Sequence, residues 1–86
     1  NRLIRPNGKL SLAKINKSLS IEVFSQDRTI LDIHAMDGSL VSRMVDGSLI
    51  SGVHEFALPI DLPSGLYVAI LKSGHFTRTL PFGHVK

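Results

Sequence analysis

The sequence predicts an all-β fold, an immunoglobulin-like or fibronectin III-like antiparallel β-sandwich of about seven strands. Three observations predict it. Apolar residues recur at every second position along most of the chain, the period of a strand with one buried and one wet face. Turn-forming pairs such as Asp37-Gly38 and Ser73-Gly74 break these runs at about ten-residue spacing. The breakers also leave no stretch of about eleven residues in which a helix could run uninterrupted.

The elements follow in order. Residues 1–8 hold Pro6, Asn7, Gly8 and two arginines without alternation and read as the end of an interdomain linker, so the single sandwich domain is 9–86. A first strand is expected over 9–15, ended by Asn16-Lys17. In the second, Leu19, Ile21 and Val23 alternate with Ser18, Ser20 and Glu22. After Gln26-Asp27, Leu31, Ile33 and Ala35 alternate with Ile30, Asp32 and His34. Asp37-Gly38 turns the chain into a strand over 40–45, and the stretch from Asp46-Gly47 to Gly52 is expected to be a turn. Strands over 53–58, 66–71 and 75–80 complete the set, separated by Leu62-Pro63-Ser64-Gly65 and Ser73-Gly74. Pro81 suits an edge strand, where a missing N–H breaks no ladder. Phe24, Phe56, Phe76 and Phe82 are assigned to the core, since few other aromatic residues exist to fill it.

A chain of 86 residues buries only about two-thirds of its unfolded surface and leaves little room for a pocket with supporting shells. With no cysteine, disulfides and thiolate chemistry are excluded, and cohesion rests on aliphatic packing. The net charge of +3 is segregated. Residues 1–21 carry five cations and no acid, 22–61 carry seven acids against Arg28 and Arg43, and 62–86 carry Lys72, Arg78 and Lys86 with no acid. No dense Lys/Arg run exists to follow a phosphate backbone, so no nucleic-acid partner is expected. No apolar run is long enough for a transmembrane segment; the longest continuous one is Leu66-Tyr67-Val68-Ala69-Ile70-Leu71.

Catalytic and metal patterns are not met. His34, His54, His75 and His84 lack the short spacings of metal ligands, and His34 and His75 read as exposed sheet-face histidines. Asp32 and Glu55 alternate with apolar neighbours and are expected to face solvent, like Glu22. No G-x-S-x-G elbow or calcium loop occurs, and the serines of the two Asp-Gly-Ser triplets have turn duty. No catalytic residue, metal site or cofactor is therefore assigned. Asn16-Lys17-Ser18 fits a glycosylation acceptor. Tyr67, two residues after Gly65, is placed for a tyrosine corner with its hydroxyl bonded back to the main chain.

From Thr29 to Lys72 the chain reads TILDIHAMDGSLVSRMVDGSLISGVHEFALPIDLPSGLYVAILK. This resembles the C-terminal sorting domain of proteins exported by the type IX secretion system of Bacteroidetes and related bacteria. The resemblance is carried by the Asp/Gly turn at Gly38 followed by Val41, the strand opened by Gly52, and Gly65-Leu66-Tyr67 entering a strand. The family commonly has Asp and a basic residue where this chain has Ala35 and Ser39, and a lysine near Leu80-Pro81-Phe82. The resemblance implies a folded address and not a catalyst: a non-catalytic sorting or anchoring module of a larger exported bacterial protein, secreted or held at the cell surface. Its partners would be the outer-membrane protein secretion machinery and an upstream catalytic domain, frequently a hydrolase. The recognition tail would lie over 72–86, with Lys72, Arg78 and Lys86 as its charges. Similar segments occur in other Ig-like modules, so a spacer or a weak carbohydrate-binding module of a secreted glycoside hydrolase is the alternative.

Overall fold

A computed structural model describes residues 11–23 and 27–86. The expected linker over 1–8, the start of the first strand at Lys9 and Phe24 lie outside them. Seven strands follow one another: β1 (Ser11–Ile15), β2 (Ser18–Val23), β3 (Arg28–Ala35), β4 (Leu40–Ser48), β5 (Gly52–Ala57), β6 (Gly65–Ser73) and β7 (Phe76–His84). Every pairing is antiparallel, in a three-stranded sheet β1-β2-β5 and a four-stranded sheet β4-β3-β6-β7. A constant-type immunoglobulin sandwich keeps its fourth strand with the first, second and fifth. Here β4 lies beside β3 instead, the fibronectin III-like arrangement of the two the sequence left open.

The turn between β3 and β4 explains that choice. Gly38 N–H donates to Ala35 O at 2.9 Å, and Ala35 N–H donates to Ser39 O at 2.9 Å. Asp37 Oδ1 accepts from Ser39 N–H at 2.9 Å, and Gly38 takes φ +92°, a region that favours glycine. So short and well-bonded a link forces the strands it joins to be neighbours. β1–β2 and β6–β7 are also joined by two residues each, Asn16-Lys17 and Gly74-His75.

The core forms where the strand period meets both sheets. Leu19, Ile21 and Val23 of β2 pack in one cluster with Leu31 and Ile33 of β3 and Ala69 and Leu71 of β6, all essentially fully buried. Each large aliphatic side chain so buried contributes about 1.5–3 kcal/mol. Leu58 and Leu62, on the crossing from β5 to β6, and Tyr67 and Phe82 complete the cluster.

Several expectations are corrected. Asp46-Gly47 is not a turn but lies within β4, opposite Ile30 and Thr29. β3 begins at Arg28, so its first rungs need partners, and Arg28 Nε donates to Asp46 Oδ1 at 2.8 Å across the pair. The turn falls instead on 49–51. β7 does not end at Leu80 but continues through Pro81 to His84. The proline is accommodated because β7 is an edge strand, as the sequence expected. His75 sits in the hairpin turn and not on a strand, and Phe76 beside it is 48% exposed, outside the core. Phe56 packs partly buried against the core.

Candidate functional site

Four segments meet at one end of the sandwich: the 36–39 turn, the Asn16-Lys17 hairpin, the 58–64 crossing and the end of β7. Register and hydrogen bonds bring them together. Ala35 lies opposite Tyr67, and Gly65 lies opposite His84. Leu58 N–H donates to Lys17 O at 2.8 Å, and Lys86 N–H donates to Ser64 Oγ at 2.8 Å.

The crossing is built around Tyr67. Leu62 N–H donates to Pro59 O at 3.1 Å, and Tyr67 Oη donates to Pro63 O at 2.6 Å, the corner expected from Gly65-Leu66-Tyr67. The Tyr67 ring lies against Phe82 with centroids 5.9 Å apart and planes tilted by 30°. Both rings are buried and offer no exposed platform for a sugar. In the adjacent turn, Asp37 Oδ1 also accepts from Ser39 Oγ at 2.7 Å. The Ser39 main-chain N–H and then its hydroxyl hold the Asp37 carboxyl below the usual carboxylate range.

This end exposes apolar side chains in unusual number: Met36, Leu40, Val41, Ile60, Leu66 and Val85. Two of the depressions that open among them adjoin β7. One, about 260 Å³, lies between Met36, Leu66, Pro81 and Gly83, with Tyr67 and Phe82 beneath. The other, about 250 Å³, is lined by Lys17, Leu58, Pro59, Ile60, His84 and Lys86. His84 is only 6% exposed there, and among the described residues its imidazole has no hydrogen-bond or ion-pair partner. A buried polar group left unmatched costs about 1–3 kcal/mol. The sequence reading missed this residue, although Leu80, Phe82 and His84 continue one inward-facing alternation.

Of the residues singled out from sequence, Gly38, Gly65, Tyr67 and Lys86 belong to this end. Gly52, opposite Val23, and Lys72 and Arg78, opposite Thr77 and Leu71, belong to the other end. Eight residues of extended chain place Lys86 about 25 Å from Arg78. The three tail cations therefore do not form one patch.

On the outer face of the four-stranded sheet, Arg43 makes a forked contact to Asp32, Nε to Oδ1 at 2.8 Å and Nη2 to Oδ2 at 3.0 Å. Arg43 Nη1 also lies 3.8 Å from Asp46, which Arg28 grips from the far side at 2.7 Å. The Asp32 hydrogen bond raises the Arg43 guanidinium above its ordinary value. Asp32 does point outward, but it is only 8% exposed because Arg43 lies over it, so its expected solvent-facing role is corrected. Glu55 is exposed as expected.

The histidines occupy separate places. His34 Nδ1 is 3.1 Å from Gly38 O, and His54 Nε2 is 2.8 Å from Ile50 O. Among the described residues no three His, Asp or Glu side chains converge as a metal site would require, and no helix is long and apolar enough to cross a membrane. Compared with models of protein families, with curated proteins and with solved structures, the chain matches none in any of the three.

Proposed function

We propose that this chain is a non-catalytic sorting or anchoring module of a larger exported bacterial protein, recognised as a folded address by the type IX secretion machinery at the outer membrane. One observation carries the reading: the Asp37-Gly38 turn and the Gly65-Leu66-Tyr67 entry, the segments most similar to such domains, are joined through the Ala35–Tyr67 rung and share an end with Lys86. Separated in sequence, they make one surface in space.

A receptor that reads a folded tag needs a surface held rigidly by the fold, and the hydrogen bonds of Tyr67, Asp37 and Ser64 fix this one. Exposed Met36, Leu40, Leu66 and Val85 supply apolar contact area, with Lys86 at the rim. Lys72 and Arg78, at the other end, would serve a second contact. The upstream cargo is proposed to be a secreted hydrolase, and the site of action the cell surface or the medium.

The test is export of a reporter that carries an ordinary signal peptide and is fused ahead of residues 1–86, in a host with an active type IX system. Truncation before β7 would remove Phe82 from the core and unfold the sandwich. Point variants separate recognition from folding. Leu66→Glu with Lys86→Glu is expected to hold the reporter in the periplasm while the purified domain stays folded. Surface display at parental level by that variant would sink the proposal.

A further inference from the structure

We propose that the cleft between Lys17, Lys86 and His84 is a binding site for a small organic monocarboxylate with an apolar body of one ring or about six carbons. The inference is independent of the export reading.

The donors point to the anion. Lys17 and Lys86 line the cleft with two cationic side chains, and no Asp or Glu side chain lines it. His84 lines the same cleft, is buried, and its imidazole has no partner among the described residues. An imidazole carries an N–H in either tautomer, so it donates to a carboxylate oxygen whichever nitrogen holds the proton. A carboxylate accepts from several donors at once, which matches one imidazole and two ammonium groups better than a neutral ligand would.

The walls point to the rest of the ligand. Leu58, Pro59 and Ile60 form an apolar side, and Ile60 is 95% exposed, so an apolar body laid against it would remove it from water. The volume sets the size. A dry cavity of about 150 Å³ accepts benzene, so about 250 Å³ takes one ring or a short chain with its carboxylate, and not an oligosaccharide or a folded peptide. An inorganic anion would satisfy the donors and leave the apolar wall wet.

The frame is fixed before binding. The Lys17 main chain is held by Leu58 N–H, that of Lys86 by Ser64 Oγ, and His84 by its rung with Gly65. Little ordering is then needed to assemble the site, although the lysine side chains must settle on the ligand.

The experiment is an NMR titration of residues 1–86, following the His84 ring protons and the Lys17 and Lys86 side chains. The probes are sodium benzoate and sodium hexanoate, against benzamide, which lacks the charge, and sodium phosphate, which lacks the apolar body. Saturable shifts at His84 with a carboxylate are expected, with benzamide and phosphate at least about tenfold weaker. Lys17→Gln with Lys86→Gln should weaken benzoate about tenfold. His84→Phe should abolish the saturation while keeping the Tyr67 and Phe82 ring shifts. Should His84→Phe fail to fold, the lysine pair decides, since both side chains lie at the surface. The proposal is overturned if His84 shows no saturable shift up to about 100 mM carboxylate, if benzamide or phosphate binds as tightly, or if the lysine variant binds like the parent.

Discussion

The Tyr67 hydroxyl does one measurable thing: it ties the end of the 58–64 crossing to the start of β6 through Pro63 O. Tyr67→Phe keeps the ring against Phe82 and removes only that bond, so urea denaturation should show a loss of about 0.5–1.5 kcal/mol with an unchanged m-value. Asp37 adds a pH dependence. Its folded pKa is depressed, so its contribution is present above the ordinary carboxylate range and is lost as pH falls through the folded value. The stability gap between the parent and Asp37→Ala should therefore be widest near neutrality and narrow as pH falls through and below the ordinary carboxylate range. Tyr67 and Asp37 were both legible in the sequence because their partners are local, within four residues. Arg43 over Asp32 and the inward His84 were not, because each depends on a register that only the paired strands define.

At the scale of elements, what could be read in advance was the hairpins with glycine or asparagine at the tip. The β6–β7 turn has Gly74 at φ +60°, with the following residue on the ordinary side, as in a type II′ hairpin. A Cβ there would come within 2.5 Å of Asp27 Oδ2. Gly74→Ala is expected to cost about 1–2 kcal/mol from the backbone alone, seen as a lower thermal midpoint. Asp46-Gly47 carries the same kind of turn signal as Asp37-Gly38, yet forms two rungs of β4, because the strand that opposes it begins with Arg28 and holds Asp46 in place. A turn signal is a local preference, and a cross-strand ladder outweighs one. The surviving cleft and groove lie at the end where no strand covers the crossing.

For the whole molecule, the cysteine-free chain leaves its stability to a core of few side chains. Leu31→Ala empties a fully buried position at the centre of β3 and should cost about 2–5 kcal/mol. Domains of this size hold about 5–15 kcal/mol in all, so the variant should show partial unfolding at 37 °C by amide hydrogen exchange. The fold class was legible because period and turn spacing are properties of the entire sequence. Which end would collect the exposed apolar residues was not, since Met36, Ile60 and Val85 come to the same end only after folding.

β1 enters the sandwich at the end that carries Gly74, and β7, packed against it, leaves at the opposite end beside Ser64. Tension applied at Ser11 and His84 therefore runs parallel to the strands. The β1–β2 and β6–β7 ladders are loaded in shear, many hydrogen bonds at once, instead of being unzipped one rung at a time. Such a module resists being pulled apart along its long axis while it holds whatever is attached to its two ends.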